Sequence, residues 1–223
     1  MADIQFIFYR SRRRTLALEI SSEDTVIVRA PFNLPDTDIK AFILKKQDWI
    51  ERKLEQVKKD KEQIKPHTYE EGDMFSFLGK EYPLAFSEHV SGLVDISDKL
   101  YVTAAYAGKV KQIVQVWYKL QAEYVFTSRV EYLCEKMKVQ PKAVNLSDAK
   151  HKWGSCSSAG RIRLNWCLVQ APLPIIDYVI VHELAHLKHP DHSKAFWQEV
   201  EKYIPDYLEH RRWLRLHSNK LLI

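Results

Sequence analysis

Apolar and polar residues alternate at Leu16, Leu18 and Ile20, which predicts a half-buried strand. Residues 4–9 and 25–30 read as two further short strands, with residues 11–14 as the first turn. After Pro35-Asp36-Thr37 the period lengthens to that of a helix. Ile39, Phe42, Ile43, Trp49, Ile50, Leu54 and Val57 form its apolar stripe. Residues 45–62 mix lysines with glutamates, as an exposed helix face does, and the helix is expected to end near Lys65-Pro66. Residues 75–78 and 82–86 flank Gly79-Lys80 as a hairpin. Weaker strands are expected at residues 94–96 and 100–102.

A second long helix is predicted at about residues 109–137, with Val110, Ile113, Val114, Trp117, Leu120 and Tyr124 on its apolar face and Pro141 beyond its end. Residues 143–146 and 161–166 read as strands on either side of a linking segment, Gly154-Ser155-Cys156-Ser157-Ser158. Then Ile175, Ile176, Val179, Ile180, Val181, Leu184 and Leu187 recur so densely at helical spacing that their helix must be mostly buried. Pro172 and Pro174 suit its start and Pro190 its end, and Asp191 can cap the next helix. Two shorter helices are expected at residues 193–203 and 206–218. The pattern predicts an α+β fold with no internal repeat. It suggests an N-terminal β-rich accessory region with one long helix, residues 1–103, and a second region, residues 104–223.

The buried helix carries His182-Glu183-Leu184-Ala185-His186. Two histidines and a glutamate are costly to bury in such a segment without something that binds them. Histidines four apart project from one helix face and can share one metal ion, and the intervening glutamate lies close enough to act on water at that metal. His192 follows six positions after His186, and the break at Pro190 lets it return toward the helix. Three neutral nitrogen ligands with one tetrahedral position open describe a catalytic zinc site, one ion per chain, rather than a closed structural one. The rival third ligands are the later carboxylates Glu199, Glu201 and Glu209. Imidazole is favoured because it binds zinc as a neutral ligand at pH 7.

Composition narrows the setting. With 223 residues, 46% hydrophobic and 28% charged, the chain has the make-up of an ordinary globular protein. No apolar run is long enough to span a bilayer, and no apolar stretch precedes the N-terminal arginines as a secretory signal would require. Three cysteines, Cys134, Cys156 and Cys167, show no paired spacing, so a reducing, cytoplasmic location is expected. The net charge of +5 permits an acidic substrate without demanding one.

Four segments together carry a resemblance. They are Lys152-Trp153-Gly154-Ser155-Cys156-Ser157-Ser158, Ile162-Arg163-Leu164-Asn165-Trp166, Ile176 through His186, and His192-Ser193-Lys194-Ala195-Phe196-Trp197. They resemble the YgjP-like metallopeptidase family, related to the SprT-like and WLM-type zincins. The resemblance is dense over residues 151–197 and looser elsewhere. It implies a zincin-like catalytic domain, built of a metal helix, further helices and a small β-sheet. It also implies that His182, His186 and His192 bind zinc and that Glu183 is the catalytic base. Two positions depart from the family pattern: Lys152 stands where arginine is expected, and Cys167 where a basic residue is usual. The histidine spacing also matches metzincins. Those place glycine where this chain has His189, however, and need a downstream methionine, whereas Met1, Met74 and Met137 all lie upstream.

The expected reaction is metal-assisted hydrolysis of a peptide or protein substrate. The strand at residues 161–166 is expected to offer a free edge to an extended peptide. Trp153, Ser155, His151 and His189 are candidates for the substrate cleft, and Cys156 is expected to be a small buried residue. An alternative keeps the metal and hydrolyses nucleoside triphosphates, although no glycine-rich phosphate loop accompanies it. A third reading, a nucleic-acid-associated SprT-like module, rests on the basic runs Arg10-Ser11-Arg12-Arg13-Arg14 and His210-Arg211-Arg212-Trp213-Leu214-Arg215.

Overall fold

A computed structural model describes residues 4–20, 25–63, 66–149 and 152–221. Among these the chain forms six α-helices and three small sheets, the α+β architecture that the pattern predicts. It divides into two compact units, Met1–Lys65 and Pro66–Ile223.

The first unit is a three-stranded sheet with two helices. β1 (Phe6–Ser11), β2 (Ala17–Ile20) and β3 (Val26–Pro31) are arranged in the order β1-β3-β2. β1 and β2 do not pair with each other. β3 sits between them, parallel to β1 and antiparallel to β2. Alternation explains the central position: Val26, Val28 and Ala30 point to one face and are almost fully buried, and Val28 and Ala30 share a small core with Ile39. The expected long helix is two. α1 (Asp36–Lys45) and α2 (Gln47–Gln63) are separated at Lys46, whose φ of −105° and ψ of 9° leave the helical region. No glycine or proline marks this break, so the apolar period runs straight across it. Arg10 Nη1 donates to the carbonyls of Pro31 (3.1 Å), Phe32 (2.9 Å) and Leu34 (2.8 Å), and Arg10 also pairs with Asp36 at the start of α1. This basic residue is therefore committed to holding the β3–α1 connection.

The second unit opens with four strands, β4 (Met74–Phe77), β5 (Lys80–Ser87), β6 (Val94–Ile96) and β7 (Leu100–Thr103), in the order β4-β5-β7-β6. Leu78 and Gly79 both have positive φ, 49° and 79°, and make the tight turn between β4 and β5. Their N–H groups donate to the carbonyls of Val169 and Gln170. A Cβ at Gly79 would lie 2.7 Å from Pro172 Cγ, so glycine is what lets this turn rest on the start of the buried helix. Phe75, Leu84, Leu100 and Val102 bury into the core of the second unit. The boundary expected at residue 103 therefore falls at residue 65, because the inner faces of these strands pack with the C-terminal helices.

α3 (Val110–Met137) follows and is, at about 1.5 Å per residue, roughly 42 Å long. It ends at Lys138 in the left-handed region, φ 53°. β8 (Ala143–Ser147), β9 (Gly154–Cys156) and β10 (Arg161–Asn165) form the third sheet, with β10 in the centre. This corrects two expectations. The Gly-Ser-Cys segment is itself a strand, and residues 161–166 do not present a free edge, because β10 pairs parallel with β8 and antiparallel with β9. α4 (Leu173–Ala185) packs against α3, β9, β10 and the two last helices, α5 (Lys194–Tyr203) and α6 (Tyr207–His217). Arg129 on α3 grips Asp177 on α4 with two bonds of 2.7 Å. No helix among the described residues is long and apolar enough to cross a membrane.

Candidate metal centre

α4 is apolar on nearly every side, with Ile175, Ile176, Val179, Ile180, Val181 and Leu184 all buried. That burial holds its C-terminal turn rigidly between β9 and α5. His182 and Glu183 sit on that turn and His186 caps it, with φ −65° and ψ −17° still close to helical. The chain then leaves the helix earlier than Pro190, passes through that proline and returns His192 just before α5. Asp191 Oδ1 accepts from Ser193 N–H at 3.3 Å, and Ser193 is the N-cap residue of α5.

One ring nitrogen from each of His182, His186 and His192 lies within 4.8 Å of the other two, and this is the single such cluster of possible ligands among the described residues. His182 Nε2 and His192 Nε2 are 3.1 Å apart. Nitrogens bound at 2.0–2.1 Å to a tetrahedral ion stand about 3.3 Å apart, so the donor type and spacing fit a zinc-sized cation. His186 Nδ1 lies 3.1 Å from the His189 carbonyl, which favours a proton on Nδ1 and leaves Nε2 as the lone-pair donor. Burial, reinforced by the neighbouring His186 and His192, pushes the His182 pKa down to about 3, and burial lowers that of His186 as well. Both rings are thus neutral at pH 7, as metal ligands must be. His182 Nδ1 is buried and has no hydrogen-bond partner among the described residues.

The carboxylates Glu199, Glu201 and Glu209 are outside the cluster. Glu199 is taken up elsewhere: its Oε1 is 2.5 Å from Lys188 Nζ, which also donates to the Met137 carbonyl at 2.8 Å.

Glu183 is only 5% exposed. Burial raises its pKa to about 7, against the opposing pull of the Lys152 ammonium. The strand facing it is β9, and the contact point is Gly154. A Cβ there would be 2.5 Å from Glu183 Oε1 and 2.6 Å from Glu183 Cγ. Sequence pattern alone did not single out this glycine. The available signal was a glycine inside a short strand, which marks a close approach of backbone to another group.

The histidines and Glu183 form one wall of a cleft of about 660 Å³. Lys152, Ser155, Cys156, Ser157 and Ser158 also line it. Ser155 is thus at the cleft. Cys156 is half-buried at its wall rather than fully buried. Trp153 does not line the cleft; it packs against the core and its Nε1 donates to Ser218 Oγ at 3.2 Å. His189 contributes its backbone carbonyl to His186. His151 lies outside the described residues.

The chain is similar to several known proteins. The pattern of the YgjP-like, metallopeptidase domain family matches residues 14–217. The UTP pyrophosphatase of Escherichia coli (strain K12) is 34% identical in an alignment of 95 residues that covers 39% of this chain and 57% of that protein. Two crystal structures of metallopeptidase zymogens overlap part of the chain. Pyrococcus abyssi abylysin is 27% identical, covers 42% of this chain and 92% of its own, and has a TM-score of 0.38. Methanocaldococcus jannaschii jannalysin is 23% identical, covers 41% and 96%, and has a TM-score of 0.36.

Proposed function

The chain belongs to the YgjP-like metallopeptidase family, a family of metal-dependent hydrolases, and from that premise we propose that it is a zinc peptidase with Glu183 as its base. The observation that carries the proposal is the convergence of three imidazoles and a buried carboxyl on one cleft. His182, His186 and His192 would hold the ion. When bound, zinc supplies Lewis acidity: it acidifies water and polarises the group to be cleaved. Glu183 accepts the proton of the attacking water and delivers it to the leaving amine. In the metal-free protein burial raises this carboxyl to about 7, which favours its picking up the proton of a water. Three free cysteines support a cytoplasmic setting.

The peptide reading draws support from β9. Asn165 N–H donates to the Trp153 carbonyl, and Ser157 N–H to the Arg161 carbonyl. With Ser155 opposite Arg163, the alternation of an antiparallel ladder turns the N–H and C=O of Gly154 and Cys156 away from β10. That is the free edge beside the cleft, and an extended peptide added to it would run past Glu183.

A second reading, hydrolysis of a nucleoside triphosphate, has its own support. Part of the cleft lining, the Lys152 ammonium with the hydroxyls of Ser155, Ser157 and Ser158, suits a phosphate chain. The partial relative named a UTP pyrophosphatase points the same way. The nucleic-acid reading is weaker, since Arg10 is engaged by backbone carbonyls and Asp36, and Arg211 lies over the Trp197 ring.

The decisive test is a side-by-side assay of the zinc-loaded protein on casein and on nucleoside triphosphates, with Glu183→Gln as control. The variant is expected to keep one zinc per chain and lose at least a hundredfold in turnover. Cleavage of casein supports the peptidase, release of pyrophosphate or phosphate the second reading. Undiminished turnover by Glu183→Gln removes Glu183 as the base in either case.

A further inference from the structure

Of the three histidines, His192 has the least support from its own backbone. It is exposed, outside any helix, and lies on the short connection between α4 and α5. The usual device for aiming such a ring is a hydrogen bond to its second nitrogen, as the His189 carbonyl provides for His186. Among the described residues, the hydrogen-bond contact of the His192 ring is instead with His182.

What faces His192 is aromatic. Trp197, one turn into α5, stacks on the imidazole with centroids 5.7 Å apart and planes 28° from parallel. Tyr207, the first residue of α6, stacks on the indole at 5.2 Å and 18°. Phe196 meets the imidazole edge-on at 4.8 Å and 72°. The Arg211 guanidinium lies 5.3 Å from the Trp197 ring centroid. A flat ring held against a flat ring loses rotation about its side-chain torsions, and the orientation that remains keeps His192 Nε2 at 3.1 Å from His182 Nε2.

We propose that Trp197 is a positioning residue for the third metal ligand: the Tyr207–Trp197 column fixes the plane of the His192 imidazole and so aims its nitrogen at the metal centre. The role rests on the reading of His192 as a ligand. It assigns to an aromatic column, supplied by α5 and α6, the task that a hydrogen-bonding partner performs for His186.

The test separates flatness from bulk. Trp197→Phe keeps a ring in the column, whereas Trp197→Leu keeps apolar volume and removes the flat face. Zinc affinity is measured by competition with a chromophoric chelator at a temperature where circular dichroism shows each variant folded. The visible spectrum of the cobalt-substituted protein is recorded alongside. Trp197→Leu is expected to weaken zinc binding ten- to hundredfold and to change the cobalt bands, with Trp197→Phe restoring most of the affinity. Binding by Trp197→Leu within threefold of the wild type, with an unchanged cobalt spectrum, overturns the proposal. Equal losses in the Phe and Leu variants also overturn it, because they show a packing role without orientation. If Trp197→Leu does not fold, Tyr207→Leu removes the outer layer of the column; about threefold weaker binding supports the proposal and unchanged binding overturns it. His192→Ala keeps the two readings apart. If it binds zinc like the wild type, the ligand assignment itself fails. If it weakens binding and Trp197→Leu does not, only the positioning role fails.

Discussion

Replacing one hydrogen of Gly154 with a methyl group would set a carbon 2.5 Å from Glu183 Oε1 and 2.6 Å from its Cγ. Gly154 is paired to Leu164 in the sheet and the atoms it meets belong to the Glu183 side chain, so the carboxyl is the group that must move. Gly154→Ala is therefore expected to displace the carboxyl while sparing the histidines. Hydrolysis should fall at least a hundredfold, the scale at which a general base is lost, with one zinc per chain retained. Metal analysis together with turnover checks this, and activity within threefold of the wild type would contradict it. Glu183 also makes stability depend on pH once the metal is stripped. Its carboxyl rises from 4.5 to about 7 on folding, so the folded state holds a proton that the unfolded chain releases. The stability so contributed, ~3 kcal/mol at most, is fully present below pH 4.5 and is lost as pH rises through 7. His182, depressed from 6.5 to about 3, acts in the opposite sense: its contribution is present above 6.5 and is lost as pH falls toward 3. Comparison with Glu183→Gln isolates the carboxyl, because His182 is common to both proteins. In chelator, the melting temperature of the variant relative to the wild type is expected to climb between pH 5 and 8. A difference that stays constant across that range counts against the raised carboxyl.

At the scale of elements, the metal helix is held from several sides. Apolar side chains of α4 pack into the core beside α3, and Arg129–Asp177 joins the two helices. The pair is bidentate, with side chains 25% and 16% exposed, so it is stronger than a surface ion pair. Asp177→Ala leaves a half-buried guanidinium without its partner and is expected to cost about 2 kcal/mol, or several degrees in melting temperature. Thermal unfolding of the metal-free variant reads this directly, and a shift under one degree would show the pair to be incidental. Lys188 makes a second tie, from the end of the metal helix to the Met137 carbonyl of α3 and to Glu199 of α5. The same contact explains why Glu199 is unavailable as a ligand.

For the whole molecule, the division at Lys65 and Pro66 makes a prediction of its own. The strands β4–β7 share their core with α3 and α4, so Pro66–Ile223 carries every residue placed in the metal centre together with the core that supports it. A fragment of residues 66–223 is expected to fold cooperatively and bind one zinc per chain. A fragment of residues 104–223 should not, because Phe75, Leu84, Leu100 and Val102 would be missing from its core. Circular dichroism and metal analysis of the two fragments decide the matter. If the shorter fragment folds and binds zinc equally well, the boundary belongs near residue 103 after all.

Local pattern was sufficient for the existence and type of nearly all the elements and for marking the three histidines and Glu183 as candidates, and the histidine nitrogens do converge. These signals act over a few residues: strand alternation, helical spacing, and two ligands four apart on one helix face. The return of His192 was also within reach, because a proline break and six residues leave few paths. Pairing and packing lay beyond it. That β3 separates β1 from β2, that β10 is central and β9 is the edge beside the cleft, and that β4–β7 belong with the C-terminal helices all depend on partners distant in the chain. The same holds for Gly154 against Glu183 and for the stack of His192, Trp197 and Tyr207. Each is a contact between surfaces that only burial of the whole core brings together, and no periodicity within a segment encodes which distant segment will meet it.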